Sequence, residues 1–406
     1  MTSILDRIGA GSPIPNDTFS WFVQDRTRKS ATVSSGVAGL PAASLVLVLD
    51  TVSTGADLGY YLVGDLIRTE TGIVLVVTAV GQSGGFQTIT VAKPDGTNIV
   101  TGNIANAEKI GHLSNAFAEG STGPNGRFIT PNEEYNYTQI FRRGIKVSGS
   151  ALDAKSYIEL PGGKRSWYFQ SENAMFSEFM ADIERNTMFG VRAVNGTSKY
   201  SRGIWDRVVT GTEGQIQNFA SGAGITETDL QALVVKFIRQ NSSNEMIGLC
   251  GSEAMNDIHV ALKSYAVNGS VNYGSYGANL AGLNFQEYNY MGKNLKFFHY
   301  ALFDDDQTLT YTTTPTATKV NFRHVALFLD MGTNGNGENL ISLRYRDGDG
   351  GSRKMIHKLL PGMHPQTTQA GAFAASSFDG YEIQILSEQG VKFMLPNRSG
   401  ALIPTS

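Results

Sequence analysis

The stretches NYTQIFRRGIKVSGSA (136–151) and SWYFQSENAMFSEFMADIERNTMFG (166–190) follow each other closely and set the reading of the whole chain. In the first, the β-formers Thr138, Ile140 and Val147 mark a strand, and Arg142, Arg143 and Lys146 give it a basic face. In the second, Phe169, Phe176, Met180 and Ile183 fall at helical spacing, joined by Met175 and Phe179. Glu172, Glu178, Asp182, Glu184 and Arg185 supply the wet side, and Gly190 is placed to cap the end. At about 1.5 Å per residue the helix runs roughly 35 Å.

Upstream of the strand, EGSTGPNGRFITPNEEY (119–135) is polar and rich in Gly and Pro. A polar tip with extended flanks predicts a long projecting hairpin over about 119–157. Before it, from Ser44 to about Leu113, short β-branched runs recur: SLVLVLD (44–50), YYLVGDLIRTE (60–70), GIVLVVTAV (72–80) and QTITVA (87–92). Glycines punctuate them, which predicts a small sandwich or barrel able to fold alone. Residues 1–43 read as an arm, because Gly9, Gly11, Pro13, Pro15, Gly36, Gly39 and Pro41 interrupt every candidate element. Its one apolar clump, Phe19, Trp21 and Phe22, is placed to pin it onto another surface, although a floppy terminus explains the same composition.

Downstream, Thr226 opens a second helix. TETD (226–229) resembles a capping box with Asp229 in place of Glu or Gln, and Leu230, Leu233, Val234, Phe237 and Ile238 form its apolar stripe. A buried strand MIGLCG (246–251) and a third helix from Ser252 to Ala266 complete an α/β layer. NGSVNYGSYGANLAG (268–282) has no periodicity and is a loop. The strands FQEYNYM (285–291), NLKFFHYALF (294–303), HVALFLD (324–330), LISLRYR (340–346), SRKMIHK (352–358), YEIQIL (381–386) and VKFML (391–395) follow, the last two flanking Gln389–Gly390. The fold class is α+β with an antiparallel ending.

Composition narrows the function. The chain has 406 residues, 33 Lys and Arg against 36 Asp and Glu, and a net charge of −3. That balance argues against a dedicated electrostatic nucleic-acid binder and does not oppose self-association. Gly is 46 of 406, well above the usual share of about 7%, so turns and short strands dominate. One cysteine, Cys250, rules out a disulfide framework and any multi-cysteine zinc site. The N-terminus has no basic region followed by a long apolar one, and no apolar run approaches about 20 residues, so a soluble, cytoplasm-made chain is expected.

No constellation carries chemistry. His112, His259, His299, His324, His357 and His364 form no tight metal spacing and read as structural. Cys250, between Leu249 and Gly251, reads as an inert buried thiol. Asp347 and Asp349 in DGDGG have the spacing of a calcium loop, but the other ligands are missing and a hairpin turn explains them better. Phosphate-loop, dinucleotide and nucleophile-elbow motifs are absent. Tyr265, Tyr273, Tyr276, Tyr288 and Tyr290 suit an interface more than base stacking, since no basic patch accompanies them. No enzyme, cofactor or metal is expected.

The order of parts is specific: arm, small β insertion, projecting hairpin, long helix, α/β domain, returning strands. It resembles the major capsid protein of tailed bacteriophages, the Hong Kong 97-like fold. The local likeness lies in NYTQIFRRGIKVSGSA (136–151) and EFMADIERNTMFG (178–190), and in YLVGDLIRTETGIVLVVTAV (61–80) leading to AEGSTGP (118–124). The last pair is similar to the branch with a β domain inserted before the extended loop. The likeness covers about 44–190, and beyond 205 it is one of layout. It implies an N-terminal arm (1–43), an inserted β-barrel or sandwich (44–118), an extended loop (119–157) and a peripheral domain with a spine helix (158–205). An axial α/β domain (206–325) and returning strands (326–406) complete it. It also implies self-assembly into hexamers and pentamers of an icosahedral shell around double-stranded DNA, in a virion assembled in the host cytoplasm. Partners implied are further copies of the chain, a portal, scaffold, decoration or cement proteins as further candidates, and packaged DNA by non-specific contact, with no membrane. Candidate intersubunit contacts are Phe19, Trp21, Phe22, Arg142, Arg143 and Lys146. An encapsulin-like compartment shell and a tail-associated carbohydrate-binding protein are the alternatives.

Overall fold

The computed structural model describes residues 4–8, 11–23, 30–49, 61–83, 86–121, 132–150, 167–220, 224–267, 287–305, 310–313, 318–348, 350–363 and 377–405. The chain divides into two units, one made of Met1–Trp21 with Glu134–Ser406 and the other of Phe22–Glu133. The expected glycine-rich loop, with Tyr273 and Tyr276, lies outside the described residues, as do the hairpin tip 122–131, His364 and Asp349.

In the Phe22–Glu133 unit six strands close a barrel. Around it run Ser30–Ser35, Leu45–Leu49, Phe86–Ala92, Val74–Ser83, Asp65–Thr69 and Lys109–Asn115. Alternation drives the closure. In LVLVL (45–49) every second side chain turns inward, and Leu47, Leu49, Ile67, Leu75, Ile89, Val91 and Ile110 are fully buried. Gln87 and Tyr61, both fully buried, bring polar groups into this core, and each is satisfied. Gln87 donates through Nε2 to the carbonyl of Tyr61 at 2.9 Å and accepts from its N–H at 3.3 Å, while the Tyr61 hydroxyl donates to Ile110 O. The barrel begins earlier than expected. Ser30–Ser35, read as part of the arm, pairs with Leu45–Leu49 and Lys109–Asn115, and buries Ala31 and Val33. The four serines and threonines in SATVSS dilute the period-two signal to those two residues.

The register of that strand shifts between Val33 and Ser35, and the chain turns out of it through Gly36 at φ +111°. A Cβ there would lie 2.1 Å from the carbonyl oxygen of Val46. Gly36→Ala is expected to lower stability by about 2 kcal/mol or more, since φ and contact are both forbidden to it. Denaturant unfolding of the full chain measures this. A loss under about 0.5 kcal/mol would show that the bulge relaxes freely.

The other unit holds two sheets. In the first, the order is Ser12–Ile14, Ile341–Gly348, Gly380–Phe393, Gln139–Ser148, with Gly351–Ser352 added to the second strand and Ile356–Pro361 to the third. The basic stretch QIFRRGIKVS is thus a strand of the chain's own sheet, antiparallel to Gly380–Gln389 along its whole length. Gly380–Phe393 is itself continuous. Gln389–Gly390 is not a turn between two strands. Glycine is needed at 390 because a Cβ would meet the Tyr137 carbonyl at 2.3 Å. Asp347 and Gly348 do form a hairpin, with Gly351 and Ser352.

The long helix spans Trp167–Phe189 and lays Met175, Phe179 and Ile183 on Phe141, Val147, Ile383 and Ile385. Gly190 follows it without a left-handed φ; its role is close approach, with Ser201 O 2.4 Å from a built Cβ. Where the helix ends, Phe189, Trp205, Phe303 and Phe322 pack ring against ring.

The second sheet runs Gln215–Ala220, Gly400–Thr405, Ala326–Asp330, Glu245–Cys250, Lys293–His299, Glu287–Tyr290, and is mixed in direction. Helices Glu227–Arg239 and Ser252–Val267 pack on it through Leu230, Leu233, Val234, Phe237, Ala254 and Ile258. The capping box forms with Asp229 as its acid. Thr226 Oγ1 accepts from Asp229 N–H, and the Asp229 carboxylate accepts from Thr226 N–H.

Candidate assembly surfaces

The six residues singled out from sequence fall into three environments. Phe19 and Trp21, on Thr18–Val23, are buried at 9% and 6% exposure. They stack at 5.8 Å, and the Arg207 guanidinium lies 5.8 Å from the Trp21 ring. Arg207, 5% exposed, pairs with Glu213 at 2.8 Å and donates to the Phe393 carbonyl at 2.7 Å. The inner part of the arm is therefore pinned to its own chain. Phe22, one residue on, is 67% exposed.

Alternation separates the three basic residues. Facing residues of an antiparallel pair share a side of the sheet. Arg143 faces Ile385, whose side chain lies in the core under the long helix. It spends its charge there, with Nη2 2.7 Å from Asp182 and Nη1 3.2 Å from Glu178. The Asp182 carboxylate, foremost by hydrogen bonding, holds its pKa above the ordinary value. Arg142 faces Leu386 and Lys146 faces Glu382, on the side that the long helix does not cover. Arg142 donates to Gln384 Oε1, and Lys146 lies 3.5 Å from Glu382.

On the same side Lys358 faces Gln384, and Ile140 stands 51% exposed. The one deeply buried carboxylate of this sheet among the described residues is Glu388, 1% exposed. It is met by Arg346 at 3.3 Å, Arg353 at 2.9 Å and the Thr138 hydroxyl at 3.0 Å. Beside it lies a polar cleft of about 500 Å³ lined by Asp17, Lys199, Tyr200 and Arg346. A hydrogen bond from Lys199, 2.7 Å away, holds the Asp17 carboxyl below its ordinary range.

Sequence reasoning missed other exposed apolar positions. Leu359, facing Ile383, is 57% exposed, and Met355 and Met363 flank it at 40% and 67%. On the barrel Val63, Leu113 and Phe117 are exposed. Of these only Leu113 and Leu359 lie on strands, and nothing in the neighbouring sequence shows that their side stays uncovered. Cys250 is fully buried, and burial pushes its thiol up to about 12. His112, His299 and His357 each contact a carboxylate, of Asp65, Asp304 and Glu172. Among the described residues no cluster of three or more His, Cys, Asp or Glu is arranged to hold a metal, and no helix is long and apolar enough to cross a membrane.

Comparison with known proteins gives a family and a set of distant shapes. The family profile described as SU10 major capsid protein matches residues 1–319. No curated protein matches the sequence. Among solved structures, the capsid of cyanophage Pam1 is 10% identical, covers 72% of this chain and 81% of its own, and has a TM-score of 0.43. The capsid of cyanophage P-SCSP1u is 10% identical over 88% and 86%, with a TM-score of 0.41. The holo-SrpI encapsulin complex from Synechococcus elongatus is 11% identical over 68% and 75%, with a TM-score of 0.36. Likenesses this weak decide nothing between a capsid and a compartment shell; the family match does.

Proposed function

The chain belongs to the SU10 major capsid protein family, and from that premise we propose how this structural protein of the virion builds its shell. Copies of the chain assemble as hexamers and pentamers into a closed icosahedral container for double-stranded DNA, in the Hong Kong 97-like manner and in the host cytoplasm. The first sheet with Trp167–Phe189 serves as the peripheral part, and the second sheet with its two helices as the axial part. The barrel is the insertion, and the uncovered side of the strand Gln139–Ser148 meets a neighbour. The chain works by geometry and not by catalysis. Portal, scaffold and decoration proteins are its further partners, and DNA is met by non-specific contact.

The observation that carries this reading is the family match over residues 1–319. The exposed side of the first sheet supports it. Ile140, Arg142, Lys146 and Lys358 make a mixed basic and apolar strip of the kind that many weak, repeated contacts use. Phe22 is the arm residue left free to reach outward. Electron microscopy and light scattering of the purified chain, across concentration and salt, should show capsomer rings, sheets or closed shells. A strictly monodisperse monomer at high concentration in every salt would sink the proposal.

A further inference from the structure

Where the long helix passes the turn that follows strand Lys293–His299, the surface opens into a hollow of about 350 Å³. Ala181, Ala301 and Leu302 give it apolar walls, and Glu184, Asp304 and Asp305 line it with carboxylates. Each carboxylate is held by its own chain. Glu184 accepts from the Ile4 N–H at 3.0 Å, and Asp304 accepts from the Ser252 N–H and hydroxyl and contacts His299. Asp305 accepts from Arg185 at 2.8 Å, but Arg185 also serves Asp182, at 3.7 Å. These bonds fix the carboxylates without balancing them, since one guanidinium and a half-exposed imidazole stand against three acids. Apolar walls beside unbalanced acids suit a side chain with an aliphatic stem and a cationic head.

Strand Gln139–Ser148 carries such side chains. Arg143 spends its charge on Glu178 and Asp182, and Lys146 lies 3.5 Å from Glu382. Arg142 is exposed, donates to the neutral Gln384 amide and forms no ion pair among the described residues. Its planar fork suits carboxylates on two consecutive residues better than the point charge of Lys358 does. Arg142 does not reach the hollow of its own chain. It lies on the side of its sheet away from the long helix, and that helix walls the hollow. We propose that Arg142 of one copy enters this hollow on the next copy, its stem against Ala181, Ala301 and Leu302 and its guanidinium between Asp304 and Asp305. The inference rests on the shell reading above and names the surface that receives the basic strip. Two different patches of one chain then meet head to tail, the kind of contact that closes into rings.

Arg142→Glu and Asp305→Arg are each expected to lower particle yield by about tenfold or more at equal concentration. The chain carrying both restores the pair with its signs exchanged, and its yield should return to within about threefold of the natural chain. The two single variants, mixed in equal parts, should also assemble, with the exchanged pair at one contact and the natural pair at the next. Such copies must alternate, which fits a hexamer and not a pentamer, so microscopy should show rings or sheets without closed shells. Either single variant assembling in normal yield overturns the proposal, as does a doubly exchanged chain no better than the worse single one. If Asp305→Arg rescues Lys146→Glu or Lys358→Glu and not Arg142→Glu, the hollow takes another side chain and the assignment of Arg142 falls. Should Asp305→Arg fail to fold, the natural chain decides. An arginine-selective dicarbonyl on Arg142, and diethyl pyrocarbonate on His299, should react at least about tenfold more slowly in the particle than in the free subunit. An unchanged rate at either residue overturns the contact while leaving the shell reading intact. A natural chain that forms no particle fails that reading, and this inference with it.

Discussion

Arg207→Ala is expected to destabilise the unit that holds both sheets by about 3 kcal/mol, a large share of the 5–15 kcal/mol typical of a fold. Arg207 is buried, and its planar fork has four uses at once. Nε and Nη2 meet Glu213 at 3.1 and 2.8 Å, Nη1 meets the Phe393 carbonyl, and Nη2 lies 3.5 Å from Glu134. Its face lies against the rings of Trp21 and Phe393. Removing it strands a backbone acceptor and takes the platform from Trp21. Arg202 keeps its own contact with Glu213 at 2.8 Å, so the carboxylate is not left wholly unpaired, which keeps the loss at the lower end. A melting temperature lower by roughly 5–10 °C is the reading. Arg207→Lys keeps the charge without the fork and should recover under half of the loss. Arg207→Met separates packing from charge. If it is as stable as the natural chain, the ion pairs give no net stability, as happens for buried pairs replaced by apolar side chains.

Features that depend on nearby residues are legible in the sequence itself. The long helix follows from its stripe of Met175, Phe179 and Ile183, and it ends one residue before Gly190. Thr226 and Asp229 announce their cap three residues apart. What cannot be read there depends on partners far along the chain. Gln389–Gly390 has the composition of a turn, and only the Tyr137 backbone pressed against position 390 makes it mid-strand. Ala31 and Val33 are too few to declare a strand until the barrel supplies neighbours on both sides. The candidate contacts suffer the same way. Phe19, Trp21 and Phe22 are one clump in sequence, yet alternation buries two and exposes the third.

Reversing the charge of Arg142 and Lys146 together, Arg142→Glu with Lys146→Glu, is expected to abolish assembly while moving the melting temperature of the free subunit by no more than about 2 °C. In the free subunit these side chains do little. Lys146, itself exposed, pairs with Glu382 at 3.5 Å and lies 5.8 Å from the Phe378 ring, and Arg142 makes one exposed hydrogen bond with Gln384. Arg143→Glu should do the reverse. It would set a third carboxylate against Glu178 and Asp182, lift the long helix from its sheet and lower the melting temperature, with assembly lost only through folding. The strand itself is paired residue for residue with Gly380–Gln389, so hydrogen exchange in the free subunit should find 139–148 protected. The contact surface is thus a side of a formed strand and not a segment that orders on docking. Three results would count against it: shells of normal yield from the double reversal, a large stability loss in that variant, or rapid exchange throughout 139–148. The first would remove Arg142 and Lys146 from the interface. The second would make them structural, as Arg143 is. The third would mean that this strand orders only against a neighbour.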